Sequence, residues 1–145
     1  MVVMKTVVVN TQSIDRKWYV IDAASLTLGR LASKVAQLLI GKGKVAYSPN
    51  QDHGDNIIVI NSDKVRLTGK KPDMKFYFRH SQYPGGAKFR SFKEQMQLDS
   101  SQVVIHAVHG MVPKNARGRA IMKKLHVYKN DNHPHAAQQP EILSF

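Results

Sequence analysis

Two apolar runs separated by one amphipathic segment constrain this chain most. Trp18-Tyr19-Val20-Ile21-Asp22 has the length and the aromatic and β-branched content of a buried strand. Leu28, Leu31, Ala32, Val35, Ala36 and Leu39 then recur at intervals of three and four, the spacing of one face of an α-helix. Arg30, Lys34 and Gln37 fall on the other face. Ser25 or Thr27 is placed to cap the helix, and Gly41 and Gly43 to end it. Ile57-Ile58-Val59-Ile60 is continuously apolar between Asn56 and Asn61, which favours a strand covered on both faces. Strand, helix, strand predicts a βαβ unit: a parallel sheet joined by a right-handed crossover.

The rest of the chain is less periodic. Leu67 to Arg90 is poor in core residues and rich in turn residues, and reads as a projecting loop or hairpin. Ser91 followed by Glu94 fits a capping box and opens a short helix to about Leu98. Val104, Ala107, Val108 and Met111 predict a second helix closed by Pro113. Gly118 to Leu125 predicts a third, with Ile121, Met122 and Leu125 inward, before a last strand at Leu125-His126-Val127-Tyr128. From Asn130 the chain is polar, with Pro134 and Pro140, and is expected to run extended over the surface. We therefore expect an extension at 1–16, one α/β domain at 17–129 and an extended tail at 130–145.

Charge narrows the function. The chain has 145 residues and a formal net charge of +12. Self-repulsion of that size calls for an anionic partner. No apolar run approaches the ~20 residues of a membrane-crossing helix, which leaves nucleic acid as the favoured partner. There is no cysteine, so disulfides and thiolate metal sites are excluded. The first ten residues lack the pattern of a signal peptide, and a cytoplasmic location is expected.

The cations lie in several blocks, which predicts a broad binding surface and not one basic tail. From Lys64 to Lys93 there are nine basic residues and one acid, Asp73. Within that stretch, Phe76-Tyr77-Phe78-Arg79-His80-Ser81-Gln82-Tyr83-Pro84-Gly85-Gly86 joins aromatics, cations and a glycine turn, next to Lys88 and Arg90. Aromatic faces stack on unpaired bases and cations neutralise phosphates. Lys42 and Lys44 follow the first helix. Lys114-Asn115-Ala116-Arg117-Gly118-Arg119, with Lys123 and Lys124 beyond it, forms another basic stretch. For Arg30 and Lys34, a solvated helix face and a phosphate-facing one look alike.

Catalytic and cofactor signatures fail. Only Gly29 lies near the turn after Asp22, so there is no dinucleotide fingerprint. Gly69-Lys70-Lys71 lacks the rest of a phosphate loop. Gly41-Lys42-Gly43-Lys44 ends a helix and so presents the wrong pole to phosphate. The seven histidines show no pair with the spacing of a zinc enzyme, and Asp52 and Asp55 flank Gly54 as turn residues do. We expect no enzyme activity, cofactor, metal or small-molecule substrate. Asp22, at a strand end, is expected to cap the next turn.

Taken together, ordered segments resemble one family. They are Trp18-Tyr19-Val20-Ile21-Asp22-Ala23, Thr27-Leu28-Gly29-Arg30-Leu31-Ala32-Ser33, Leu67-Thr68-Gly69-Lys70-Lys71 and Arg79-His80-Ser81-Gln82-Tyr83-Pro84-Gly85-Gly86. Gly110-Met111-Val112-Pro113-Lys114-Asn115, Gly118-Arg119-Ala120 and His133-Pro134-His135-Ala136-Ala137-Gln138-Gln139-Pro140 complete the set. The chain is similar to the bacterial large-subunit ribosomal protein L-thirteen family from about Lys17 to Glu141. The resemblance implies a three-layer α/β/α domain with a small, mainly parallel sheet. It also implies binding to large-subunit ribosomal RNA early in subunit assembly, beside other ribosomal proteins, with no catalytic step. Some members of that family bind messenger RNA and control translation, a secondary implication. By position, Lys70, Lys71, Arg79, His80, Tyr83, Gly85 and Gly86 would lie in a projecting RNA-contact loop. Lys114, Arg119, His133 and His135 would be further contacts. Two departures stand out: His53 where the family often has Thr, and the neutral Ser100-Ser101-Gln102 in place of charged residues.

Overall fold

The structure, a computed structural model, describes residues 14–145. Most of the expected extension, residues 1–13, lies outside the described residues. The βαβ unit forms as its periodicities predict. Strand β1 (Trp18–Asp22) leads through helix α1 (Leu28–Ile40) to strand β2 (Asn56–Ile60), which pairs parallel with β1. The buried residues of α1 are Leu28, Leu31, Ala32, Val35, Ala36, Leu39 and Ile40, and Gly41 closes the helix. Thr27 occupies the N-cap position without a side-chain bond. Asp22 caps the short 3-10 turn Ala23–Ser25 instead, accepting from the Ala24 amide at 2.9 Å.

The basic segment folds as a short helix α2 (Lys71–Met74) and an antiparallel hairpin of β3 (Phe76–His80) and β4 (Ala87–Ser91), separate from the main sheet. Helix α3 (Phe92–His109) starts with the expected capping box: the Glu94 amide donates to Ser91 Oγ, and Glu94 Oε2 accepts from the Ser91 amide. Asp99 leaves helical geometry and breaks α3 beside the expected end at Leu98. Its carboxylate accepts from the Ser101 amide at 3.0 Å and so starts the second half, as an N-cap does. Ser100 is buried there, its hydroxyl 2.9 Å from that of Ser62.

Three expectations are corrected. The second half of α3 stops at His109, so Met111 lies beyond it and is exposed. The third helix, α4 (Ala116–Met122), starts earlier and ends before Leu125, which belongs to strand β5 (Leu125–Val127). The tail beyond 130 adds a sixth strand, β6 (Glu141–Leu143), parallel to β1. Its three residues are too few to show a period of two, and the edge of β1 dictates their conformation.

The main sheet has the order β5-β2-β1-β6 and every pairing in it is parallel. Ile21, Ile57 and Val59 share one face and pack with Leu31, Leu39, Val104, Val108 and Ile121 of the helices. Val20 and Ile58 point to the opposite face and are buried as well. There the segment from Tyr128 to Gln138, not a long helix, provides the covering layer: His135 rests against Trp18 and His126.

Candidate nucleic-acid interface

The hairpin has two chemically distinct faces. Tyr77 pairs with Arg90 and Arg79 with Lys88 across the strands, so these four side chains share one face. Phe78 pairs with Phe89 on the other face, with Phe76 in line. The three phenylalanines are at least 60% exposed, and the Phe78 and Phe89 rings lie 5.0 Å apart. An antiparallel pair of five-residue strands buries little by itself. Its exposed aromatic face is a cost unless something covers it.

The turn is built by its own residues. Gly85 has φ +72°, which most side chains avoid. A Cβ on Gly86 would lie 2.0 Å from Ser81 Oγ and 2.9 Å from the Tyr83 carbonyl oxygen, so the hairpin itself calls for glycine here. His80 Nδ1 accepts from the Gln82 amide at 2.9 Å, leaving the imidazole exposed at the turn. Tyr83 is 75% exposed.

A groove of about 650 Å³ runs between the basic face of the hairpin and α3. Arg79, Lys88 and Arg90 line one side, and Gln102 and His106, one helical turn apart, line the other. Tyr77 lines it between them. Its hydroxyl is buried with no hydrogen-bond partner among the described residues, and burial pushes its pKa up to about 12. Lys75 Nζ sits 5.3 Å from the Tyr77 ring centre and the His106 ring 5.9 Å from it. Lys75, Tyr77, Gln102 and His106 were not singled out as contacts by sequence. Tyr77, inside the aromatic-basic run, and Lys75, one of the nine cations from Lys64 to Lys93, each carry a signal there.

Other expected contacts are exposed but dispersed. Arg30 and Lys34 lie on α1, and Lys34 Nζ approaches the Phe145 ring to 5.6 Å. Lys42 follows α1; Lys70 and Lys71 open α2; Lys114, Arg119 and Lys123 surround α4. Among the described residues, none of these cations, nor Arg79, Lys88 or Arg90, forms an ion pair.

Four expected contacts have internal partners, and a fifth, His133, is half-buried. Lys44 Nζ is 2.6 Å from Asp55 Oδ1. Lys124 Nζ is 2.5 Å from Asp52 Oδ2 and donates to the Gly54 carbonyl at 3.0 Å. Burial pulls the Lys124 pKa down, with Asp52 offsetting part of that effect. Burial alone would raise Asp52; the Lys124 ammonium and Gly54 amide outweigh it and leave the carboxyl below its ordinary value. Arg117 turns inward over the Tyr47 ring and donates to the Pro49 carbonyl. His135 Nε2 is 2.8 Å from the Tyr128 hydroxyl, and the His135 ring packs on Trp18 and His126. His133 is half-buried beside His135. The His53 departure is also internal: the residue is 1% exposed, edge-on to Tyr47. Among the described residues no group of histidines and carboxylates is placed to hold a metal.

Fold and surface define a class: a small parallel α/β domain with many exposed cations that form no ion pair among the described residues, and with a two-faced hairpin beside its main sheet. A family model described as Ribosomal protein L13 matches residues 16–134. The chain belongs to the ribosomal protein L13 family. It is 54% identical over 142 residues to the large ribosomal subunit protein uL13 of Lachnospira eligens, covering 98% of this chain and 100% of that one. It is 53% identical over 137 residues to the protein of the same name from Geobacillus kaustophilus, covering 94% of each. The uL13 of a Picosynechococcus species is 50% identical over 141 residues, covering 97% of this chain and 93% of its own.

Proposed function

We propose that this chain is a structural protein of the large ribosomal subunit that binds large-subunit ribosomal RNA and supports subunit assembly in the cytoplasm, with no catalytic step. The observation that carries the reading is the hairpin, with Arg79, Lys88 and Arg90 unpaired on one face and Phe76, Phe78 and Phe89 exposed on the other. Guanidinium and ammonium groups replace the counterions of phosphates, and exposed aromatic rings stack on splayed bases. The hairpin acts as the arm that enters the RNA. Arg30, Lys34, Lys42, Lys70, Lys71, Lys114, Arg119 and Lys123 supply further phosphate contacts around the domain. Family membership supports the same reading, because the relatives are named as large-subunit proteins.

Sedimentation of a lysate tests this. The chain is expected to travel with the large subunit at low salt and to leave it as salt rises. A chain that stays at the top of the gradient, bound to messenger RNA, would instead be a free translational regulator.

A further inference from the structure

The groove between the hairpin and α3 has features that a phosphate-neutralising surface does not require. It is concave, about 650 Å³, within the range of small-ligand sites. It combines cations on the hairpin side with amide and imidazole groups on the helix side. It also contains the Tyr77 hydroxyl, buried with no partner among the described residues. A buried hydroxyl without a hydrogen bond costs stability, and a ligand that accepts from it would recover that cost.

We propose that this groove is a binding site for one unpaired nucleotide. Arg79, Lys88 and Arg90 take the phosphate. Gln102 and His106 meet the base, with His106 offering a ring face and Gln102 a donor and an acceptor for the base edge. The Tyr77 hydroxyl donates to a base or sugar oxygen once the groove opens enough to admit it. An apolar or uncharged occupant would leave the groove's four cations, Lys75, Arg79, Lys88 and Arg90, unmatched. Inorganic phosphate alone would leave the amide and the hydroxyl unused. The proposal rests on the RNA-binding reading and adds to it a pocket that accepts one extruded nucleotide.

The test uses the full-length chain and Tyr77→Phe, which removes only the oxygen. Because no described protein group bonds that oxygen, Tyr77→Phe is expected to keep or raise the melting temperature. It is also expected to weaken binding to protein-free large-subunit ribosomal RNA about fivefold with an unchanged salt slope, since no charge is lost. His106→Ala is expected to weaken it by a similar factor. In parallel, NMR titration with AMP, UMP and inorganic phosphate follows the Tyr77 and His106 side-chain signals. Nucleotides are expected to shift both, and phosphate neither.

Shifts with AMP or UMP but unaltered RNA affinity in both variants would identify a free mononucleotide as the occupant. Equal shifts with phosphate, or a lower melting temperature for Tyr77→Phe with full RNA affinity, would overturn the site while leaving RNA binding intact. Failure of the wild-type chain to bind the RNA at all would sink the functional reading instead, and the mononucleotide arm would still report on the groove.

Discussion

Lys44 Nζ lies 2.6 Å from Oδ1 of Asp55, whose side chain is only 5% exposed. Asp55 also accepts from the Lys17 amide at 3.0 Å, and its own amide donates to the Leu38 carbonyl. One buried carboxylate thus ties the start of β1 and the end of α1 to the start of β2. Lys44→Ala leaves that carboxylate with a single donor. Unpairing a buried charge costs several kcal/mol; with Lys44 partly exposed and Lys17 retained, about 2 kcal/mol is expected. Denaturant unfolding checks this. RNA binding near the wild-type value and salt slope is expected for the folded variant, which separates this lysine from the interface.

Gly54 sits between the two paired carboxylates, Asp52 and Asp55. A Cβ there would come within 1.6 Å of the Leu39 carbonyl oxygen, a backbone atom that cannot rotate away. Gly54→Ala must therefore push α1 and the Asp52–Asp55 turn apart. We expect a loss of about 3 kcal/mol, the upper part of the overpacking range, measured by chemical denaturation. A loss below about 0.5 kcal/mol would contradict the close packing of this turn on α1.

His126 gives the fold a pH dependence. Its ring stacks on Trp18 at 5.6 Å and lies 4.5 Å from His135. Burial, and then the charge of His135, hold its pKa below the ordinary 6.5. The folded state therefore binds fewer protons than the unfolded chain once pH falls below about 6.5. Stability from this group is complete above that pH and declines below it. Melting temperature is expected to drop between pH 7.5 and 5.5. His126→Phe keeps an aromatic ring against Trp18 without the titration, and should show a smaller drop. Identical pH profiles would remove His126 from this role.

The parts of the fold that sequence revealed are those with local causes. The 3.6-residue repeat of α1, the apolar run of β2 and the Ser91/Glu94 box each fix their element through neighbours in the chain. Strand β6 has no such cause: Glu141, Ile142 and Leu143 become a strand only because β1 leaves an edge to pair with. Direction of side chains was equally hidden. Lys44, Lys124 and Arg117 look like Lys42, Lys123 and Arg119 in sequence, yet the first three turn toward Asp55, Asp52 and Tyr47. The groove was hidden for the same reason. Tyr77 and His106 are 29 positions apart, and only the packing of the hairpin on α3 joins them.

Binding of the chain to protein-free large-subunit ribosomal RNA, measured across salt concentrations and against small-subunit RNA as competitor, tests the central claim most directly. We predict preferential binding to large-subunit RNA and an affinity that falls steeply as salt rises. For Arg79→Ala with Arg90→Ala, the plot of log affinity against log salt should flatten by about 1.5, two phosphate contacts' worth, with an unchanged cooperative melt. Equal affinity for both RNAs, or the same salt slope in the folded double variant, would contradict the account.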